Sequence, residues 1–334
     1  MILEQGVAVF LIEGQDSFRI SLSKGRGRTF MIQPPALKKG DQVAIIAPAG
    51  PPDNEHLIQG KRVLEEMGLD VVFGQYLFDV EEDLTVLDQK RLADLHDAFF
   101  DPAIRGIFCA NGGFGTARIA PLIDYEKIQR NPKIFWGYSD ITYLLNAIRK
   151  LSDLVTFHGP MVASDLNEEQ RTTETESSFL SLFTGESLTY DSSNSPLNTI
   201  VYGTGEGHLV GGNLTLLTNG LGTPYQVNTD GAILLIEDVQ EPAFKINLML
   251  THLEQAGIFD AVEGVVIGNF QVEPDEYEKI RKVLQDFFAS ASFPVVENFY
   301  IGHCQPNFGV PLGANAKLTT SPTRLVIDSG VTKS

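Results

Sequence analysis

Apolar runs of strand length alternate with helical stripes along the first half of the chain. Gln42-Val43-Ala44-Ile45-Ile46-Ala47-Pro48 is largely apolar and ends at Pro and Gly, the mark of a strand buried on both faces. After Pro51-Pro52-Asp53-Asn54, a helix start, Leu57, Val63, Leu64 and Met67 recur at helical spacing. Val71-Val72-Phe73 predicts a second short strand. Asp88 reads as the N-cap of a helix that carries Leu92, Leu95 and Phe99 on one stripe. There follow a strand at 106–110, a glycine turn, a helix through Leu122, the strand Lys133-Ile134-Phe135-Trp136, and a helix from Asp140 to Leu151. Strands spaced by helices predict βαβ units and a parallel sheet, with ligands at the strands' C-terminal ends.

Residues 163–206 change character. Asn167-Glu168-Glu169-Gln170-Arg171-Thr172-Thr173-Glu174-Thr175-Glu176 is polar, and Asp191-Ser192-Ser193-Asn194-Ser195-Pro196 is rich in turn formers. With 334 residues to distribute, two domains are expected. The division falls as an extension over 1–30, a first domain over 31–165, a polar linker over 166–204 and a second domain over 205–334. In the second domain, strands at 231–236, 262–268 and 294–299 are separated by helices at 244–257 and 275–290. Lys317-Leu318-Thr319-Thr320 through Arg324-Leu325-Val326-Ile327-Asp328 predicts a terminal hairpin. The fold class is therefore α/β, with a mixed α/β C-terminal half.

Composition narrows the function classes. With 43% apolar and 20% charged residues the chain is too apolar for disorder, and it has no long uncharged run for a membrane span. A formal net charge of −18 repels phosphate backbones, which excludes nucleic acid as a partner. Two cysteines, Cys109 and Cys304, are too few for a disulfide framework or a cysteine-rich zinc site. Cys109 lies in an apolar run and reads as a small buried hydrophobe; Cys304 follows His303 and would need a base beside it to react. At the N-terminus no basic residue precedes Val7-Ala8-Val9-Phe10-Leu11-Ile12, and Glu13 and Asp16 interrupt it, a poor secretory signal. Met31-Ile32-Gln33-Pro34-Pro35 reads as a natural start, so residues 1–30 read as an extension outside the main fold or the product of a misplaced start codon. The expected compartment is the cytoplasm.

The sharpest chemical feature is Phe135-Trp136-Gly137-Tyr138-Ser139-Asp140-Ile141-Thr142. A buried strand runs into a Gly-x-Ser turn and then a helix. That geometry raises a serine hydroxyl above the sheet edge at a helix N-terminus, where N–H groups stabilise an oxyanion. Ile141 stands where the usual Gly-x-Ser-x-Gly elbow has its second glycine. The alternative makes Ser139 or Asp140 an ordinary N-cap.

A serine nucleophile needs a base and an acid that orients the base. Of the six histidines, His56, His96 and His252 lie in helical patterns and read as surface or packing residues, and His208 sits in a turn. His158, in Thr156-Phe157-His158-Gly159-Pro160, reads mainly as a structural hydrogen-bonder near the site. His303 lies in a loop just after a strand, where α/β enzymes place catalytic groups, and stands equally as a plain loop histidine. Leu234-Leu235-Ile236-Glu237-Asp238-Val239 puts two carboxylates at the end of an apolar strand, and a buried strand seldom carries a charge that is neither paired nor used. Glu237 is the first choice and Asp238 the reserve, with a structural salt bridge as the alternative. The turn Ala110-Asn111-Gly112-Gly113-Phe114-Gly115 lacks the P-loop Lys-Ser/Thr and dinucleotide spacing, so an oxyanion role opposite Ser139 is favoured.

These segments, together with Ile45-Ile46-Ala47-Pro48-Ala49-Gly50, Gly211-Gly212-Asn213-Leu214 and Ile301-Gly302-His303, occur in an order that resembles the LD-carboxypeptidase family of serine peptidases. That family includes muramoyltetrapeptide carboxypeptidases and microcin C immunity hydrolases, and the resemblance covers roughly residues 35–320. It implies a Rossmann-like N-terminal domain, a smaller C-terminal domain, and a site at their interface. It further implies a Ser139–Glu237–His303 triad, an oxyanion hole from the N–H groups of Gly113 and Asp140, no metal or cofactor, and a homodimer. The implied substrate is a small peptide, a murein tetrapeptide losing terminal D-alanine, or alternatively a peptidyl- or aminoacyl-nucleotide. One departure stands out. Many murein-recycling members carry Arg before the two glycines, whereas this chain has Asn111, which removes a bidentate partner for a carboxylate.

Overall fold

The protein is described here by a computed structural model covering residues 31–333; the extension assigned to 1–30 lies outside the described residues. Five strands of the first half, β1 (Gln42–Ile46), β2 (Asp70–Phe73), β3 (Ile104–Cys109), β4 (Ile134–Gly137) and β5 (Thr156–His158), pair in parallel. The rest of the chain adds β6 (Leu188–Asp191), β7 (Asn198–Val201), β8 (Thr204–Asn213), β9 (Ala232–Val239), β10 (Gly264–Gln271) and β11 (Val295–Glu297). It ends with β12 (Val310–Leu312), β13 (Asn315–Thr320) and β14 (Thr323–Ile327).

The first sheet has the order β12-β5-β4-β3-β1-β2. The chain leaves β1 toward β2 and then returns to the other side of β1 for β3. The loops after β1 and β3 therefore diverge and open a crevice at the strands' C-terminal ends. The second sheet has the order β6-β14-β13-β8-β9-β10-β11-β7, with a parallel centre (β8 to β11) and antiparallel flanks. The physical cause is visible in the strands: β1 and β9 are buried almost throughout, so both faces need cover and helices supply it.

Several local expectations change. The helix expected after Asp88 begins at Leu84, capped by Asp83, whose carboxylate accepts from the N–H groups of Thr85 and Val86. Asp88 is instead buried one turn inside and pairs with Arg118 at 2.6 Å. His208 lies in β8 rather than in a turn. β8 is rich in glycine and reads as a loop, but β-carbons at Gly205 and Gly207 would stand 1.9 and 2.2 Å from carbonyls of the neighbouring backbone, so close approach demands them. Residues 166–204, read as a polar linker, contain short helices and the edge strands β6 and β7. From the same segment Phe179 stacks on Trp136 at 4.5 Å, under the first sheet.

One apolar cluster joins the sheets. It contains Ile107 and Phe135 from the first, Ile141 from the turn after β4, Leu209, Leu235 and Val266 from the second, and Ile301 from the loop after β11. β12 also crosses back from the second half of the chain to close the edge of the first sheet beside β5. Through these shared contacts the loop after β4 and the loops after β9 and β11 meet. Among the described residues no helix is long and apolar enough to cross a membrane.

Candidate active site

Ser139 begins a 3-10 turn, Ser139–Ile141, directly after β4, and the helix Thr142–Leu151 continues it. Its φ is +62°, the left-handed region, which costs a non-glycine residue about 1–3 kcal/mol. The bend is tolerated because its neighbours are small: a β-carbon on Gly112 would lie 3.0 Å from the Ser139 Oγ. The capping alternative is not realised. No side-chain cap closes the turn or the helix after it, and the Asp140 carboxylate accepts from the Thr116 N–H at 3.0 Å.

Glu237, near the end of β9, is fully buried at 0% exposure. A buried carboxylate without a partner costs several kcal/mol, so its neighbour matters. That neighbour is His303, whose Nδ1 lies 2.7 Å from Oε2, while the same oxygen accepts from the His303 N–H at 3.4 Å. The Nε2 of His303 lies 3.2 Å from the Ser139 Oγ. Ser139, His303 and Glu237, all three read from the sequence, are thus in line. Burial pushes the Glu237 carboxyl up, but the His303 charge and hydrogen bonds outweigh it and hold the group below its ordinary value. On His303 burial acts downward, and the charge and hydrogen bond of Glu237 raise it on balance.

Asp238 faces the other way, as period-two alternation requires. It accepts from the Thr215 N–H and Oγ1, both at 2.9 Å, and from the Asn213 Nδ2 at 3.0 Å. The reserve acid therefore lies away from His303. His158 ends β5, opposite Gly137, with its ring edge-on to Tyr138 at 5.6 Å. Burial lowers it to about 4, so the ring is neutral and neither nitrogen has a protein partner among the described residues. The Cys304 thiol donates to the Pro306 carbonyl and burial pushes it up, away from thiolate chemistry.

Sequence reading passed over a second layer. The Tyr138 ring lies against His303 at 4.7 Å, and its hydroxyl donates to Asp165 at 3.1 Å. Asp165, raised to about 6 by burial, also accepts from the Met161 N–H at 2.8 Å. Tyr138 adjoins the candidate serine, but Asp165 sits in a stretch that reads as a boundary. No local signal connects them.

A cleft of about 530 Å³ opens above His303, lined by Asp53, Asn111, Ser164, Glu169 and Gln305 among others. Ser164 donates to the Asn111 side-chain carbonyl at 2.6 Å, leaving the Asn111 amide nitrogen only a long contact, 3.4 Å, to Pro51. Across from Ser139, Gly113 is exposed. Among the described residues neither its N–H nor that of Asp140 donates to a protein group.

The fold is α/β, and at the meeting of its two sheets Ser139, His303 and Glu237 lie in one hydrogen-bonded line. Comparison with known proteins gives the family. Residues 43–159 match the LD-carboxypeptidase N-terminal domain and residues 206–318 the C-terminal domain. The chain is 43% identical over 305 residues to a Bacillus subtilis protein named "Probable murein peptide carboxypeptidase", covering 90% of this chain and 96% of that one. Among solved structures, an MccF-like protein from Bacillus anthracis superposes with a TM-score of 0.81 at 28% identity, covering 89% of this chain and 99% of the other. A muramoyltetrapeptide carboxypeptidase from Oxalobacter formigenes gives 0.73 at 27% identity, with coverage of 86% and 98%. The chain belongs to the LD-carboxypeptidase family and is a peptidase.

Proposed function

We propose that this peptidase releases terminal D-alanine from murein tetrapeptides, cutting the bond after the L-centre of the diamino acid, with Ser139, His303 and Glu237 as its triad. The observation that carries the reading is the single imidazole spanning Ser139 at 3.2 Å and Glu237 at 2.7 Å. The name of the Bacillus subtilis relative supports the substrate class.

With Glu237 accepting from Nδ1–H, the Nε2 of His303 is the acceptor for the Ser139 proton. The Ser139 alkoxide adds to the scissile carbonyl, and the negative oxygen of the tetrahedral intermediate faces the N–H groups of Gly113 and Asp140. Each donor of this type is worth about 3–4 kcal/mol in the transition state. His303 passes its proton to the leaving amine of D-alanine. Water then attacks the acyl-enzyme, His303 again acting as base, and Ser139 is regenerated. In this reading Asn111, which accepts from Ser164 at the cleft wall, offers the peptide's terminal carboxylate a neutral amide in place of a guanidinium. The reading carries with it a role in cell-wall recycling, a cytoplasmic location and a homodimer, open to fractionation and light scattering.

The test is mass spectrometry of defined L-Lys and meso-diaminopimelate tetrapeptides after incubation with the protein, alongside an aminoacyl sulfamoyl-adenosine. Loss of one alanine mass from either tetrapeptide is expected. Cleavage of the adenosine compound alone would replace the murein substrate with the nucleotide-linked one.

A further inference from the structure

Arg91 lies in the helix Leu84–Phe100, beneath the glycine turn, with only 5% of its surface exposed. Burying a guanidinium is costly, and its carboxylate partner, Asp88, is a distant 3.7 Å away and is shared with Arg118 at 2.6 Å. Its Nε and Nη1 have no hydrogen-bond partner among the described residues. A β-carbon on Gly115 would stand 2.4 Å from Nη1, so the turn is laid directly over the charge. The ring of Phe114 covers it from outside, 5.8 Å from the guanidinium carbon.

The one side-chain hydrogen bond that Arg91 makes among the described residues is from Nη2 to the Ala49 carbonyl oxygen. That carbonyl shares a peptide group with the Gly50 N–H, which donates to the Gly112 carbonyl at 2.7 Å. The Gly112 carbonyl in turn shares its peptide group with the Gly113 N–H. A buried positive charge thus stands at the head of two peptide dipoles in series, and the tail of the series is the Gly113 N–H. Hydrogen bonds in such a chain polarise one another, by roughly 10–30% per bond. Burial lowers Arg91 from its ordinary value, while the charges of Asp88 and Asp140 work the other way. Asp140 is the residue whose own N–H flanks Ser139 on the far side.

We infer that Arg91 is a positioning residue for the oxyanion hole, fixing and polarising the Gly113 N–H through the peptide groups of Ala49-Gly50 and Gly112-Gly113. The inference rests on the serine mechanism above but not on the identity of the substrate.

Arg91→Met, Arg91→Gln and Arg91→Lys are compared with wild type by kcat and KM for D-alanine release. The rate at which a fluorophosphonate labels Ser139 is measured in parallel, because its phosphoryl oxygen occupies the same hole. Both uncharged variants are expected to lose about 10- to 50-fold in kcat and in labelling rate, less than the loss of a whole donor, with KM within about threefold. Arg91→Lys recovers most of the loss. Wild-type rates in a folded uncharged variant would overturn the inference, as would a loss confined to KM, or a lysine variant no better than methionine. If methionine prevents folding, glutamine decides; if neither uncharged variant folds, the guanidinium serves the fold and the inference fails. A wild type that labels but releases no D-alanine ends the substrate reading alone, and the labelling rates still judge Arg91. A wild type that does neither ends both.

Discussion

Ser139 and Glu237 stand at opposite ends of one relay, and the two sheets hold them by different means. At the rim of the first sheet the work is done by backbone: a left-handed φ at Ser139, Gly112 pressed against it, and the Gly113 and Asp140 N–H groups without a protein acceptor among the described residues. At the rim of the second sheet it is done by side chains: a fully buried carboxylate whose Oε2 meets one imidazole, while Oε1 has no hydrogen-bond partner among the described residues. A backbone device is made of main-chain atoms, which single side-chain changes leave in place. A buried ion pair depends on elements remote in sequence, and the loss of one partner strands the other. The first rim is therefore expected to fail in chemistry while the fold persists. The second should lose chemistry, pH response and stability together.

The sharpest way to break the comparison is Ser139→Ala. It removes the proposed nucleophile from a half-buried position that caps nothing, so turnover should fall by about a million-fold while the melting temperature stays unchanged, alanine keeping the β-carbon that serine has. A melting temperature that drops by many degrees would show that the first rim, too, is held by its side chains.

Next in size is Glu237→Gln, expected to cost about 10³- to 10⁴-fold in kcat because the imidazole loses its orienting acceptor. Its pH signature is more telling. His303 must be neutral to act as base, and the Glu237 charge raises it above the ordinary 6.5 against the pull of burial. In wild type kcat/KM should therefore fall with decreasing pH through a midpoint above that value. In Glu237→Gln the charge is gone and burial remains, so the midpoint should move to lower pH. A limb that stays put would mean that another group titrates.

Gly302→Ala probes the second rim through its backbone. Gly302 has a φ of +101°, and a β-carbon there would lie 2.5 Å from the Glu237 Oε2. A loss of about 1–3 kcal/mol in stability, read by denaturant titration, is expected together with about a 100-fold drop in kcat. Unchanged kinetics would refute the tight coupling of loop and acid. The smallest effect on activity belongs to Asp238→Asn, whose carboxylate serves Thr215 and Asn213 rather than His303. Stability should fall by about 1–3 kcal/mol as an acceptor is lost, with kcat changed less than about threefold.

How much of this was legible beforehand follows the same division. The Gly-x-Ser turn, the glycine turn and the acid at the end of an apolar strand are local patterns, and each could be pointed to in the chain. Strand alternation says that Glu237 and Asp238 face apart but not which faces the cleft; the preference for Glu237 over Asp238 needed the geometry, which puts Glu237 against His303. Asp88 was misread as a cap because Ser, Asp and Asn before an apolar stripe look alike until the helix start is seen; Asp83 holds that place. Strand β8 was hidden by its glycines, which signal turns unless a neighbouring strand lies too close for a side chain. Tyr138, Asp165 and Arg91 gave no signal, since their partners lie tens of residues away in sequence or are backbone atoms.

The amino-acid order by itself determined the alternation of strands and helices, the Gly-x-Ser turn and the set of residues capable of hydrolytic chemistry, because these depend on neighbours within a few positions. Only the tertiary structure decided which acid serves His303, how the two rims close on each other, and that a buried arginine sits behind the glycine turn. Those outcomes depend on a shared apolar core that brings segments 66 and 164 residues apart into hydrogen-bond contact. Such packing is a collective result of the whole chain, which no local window contains.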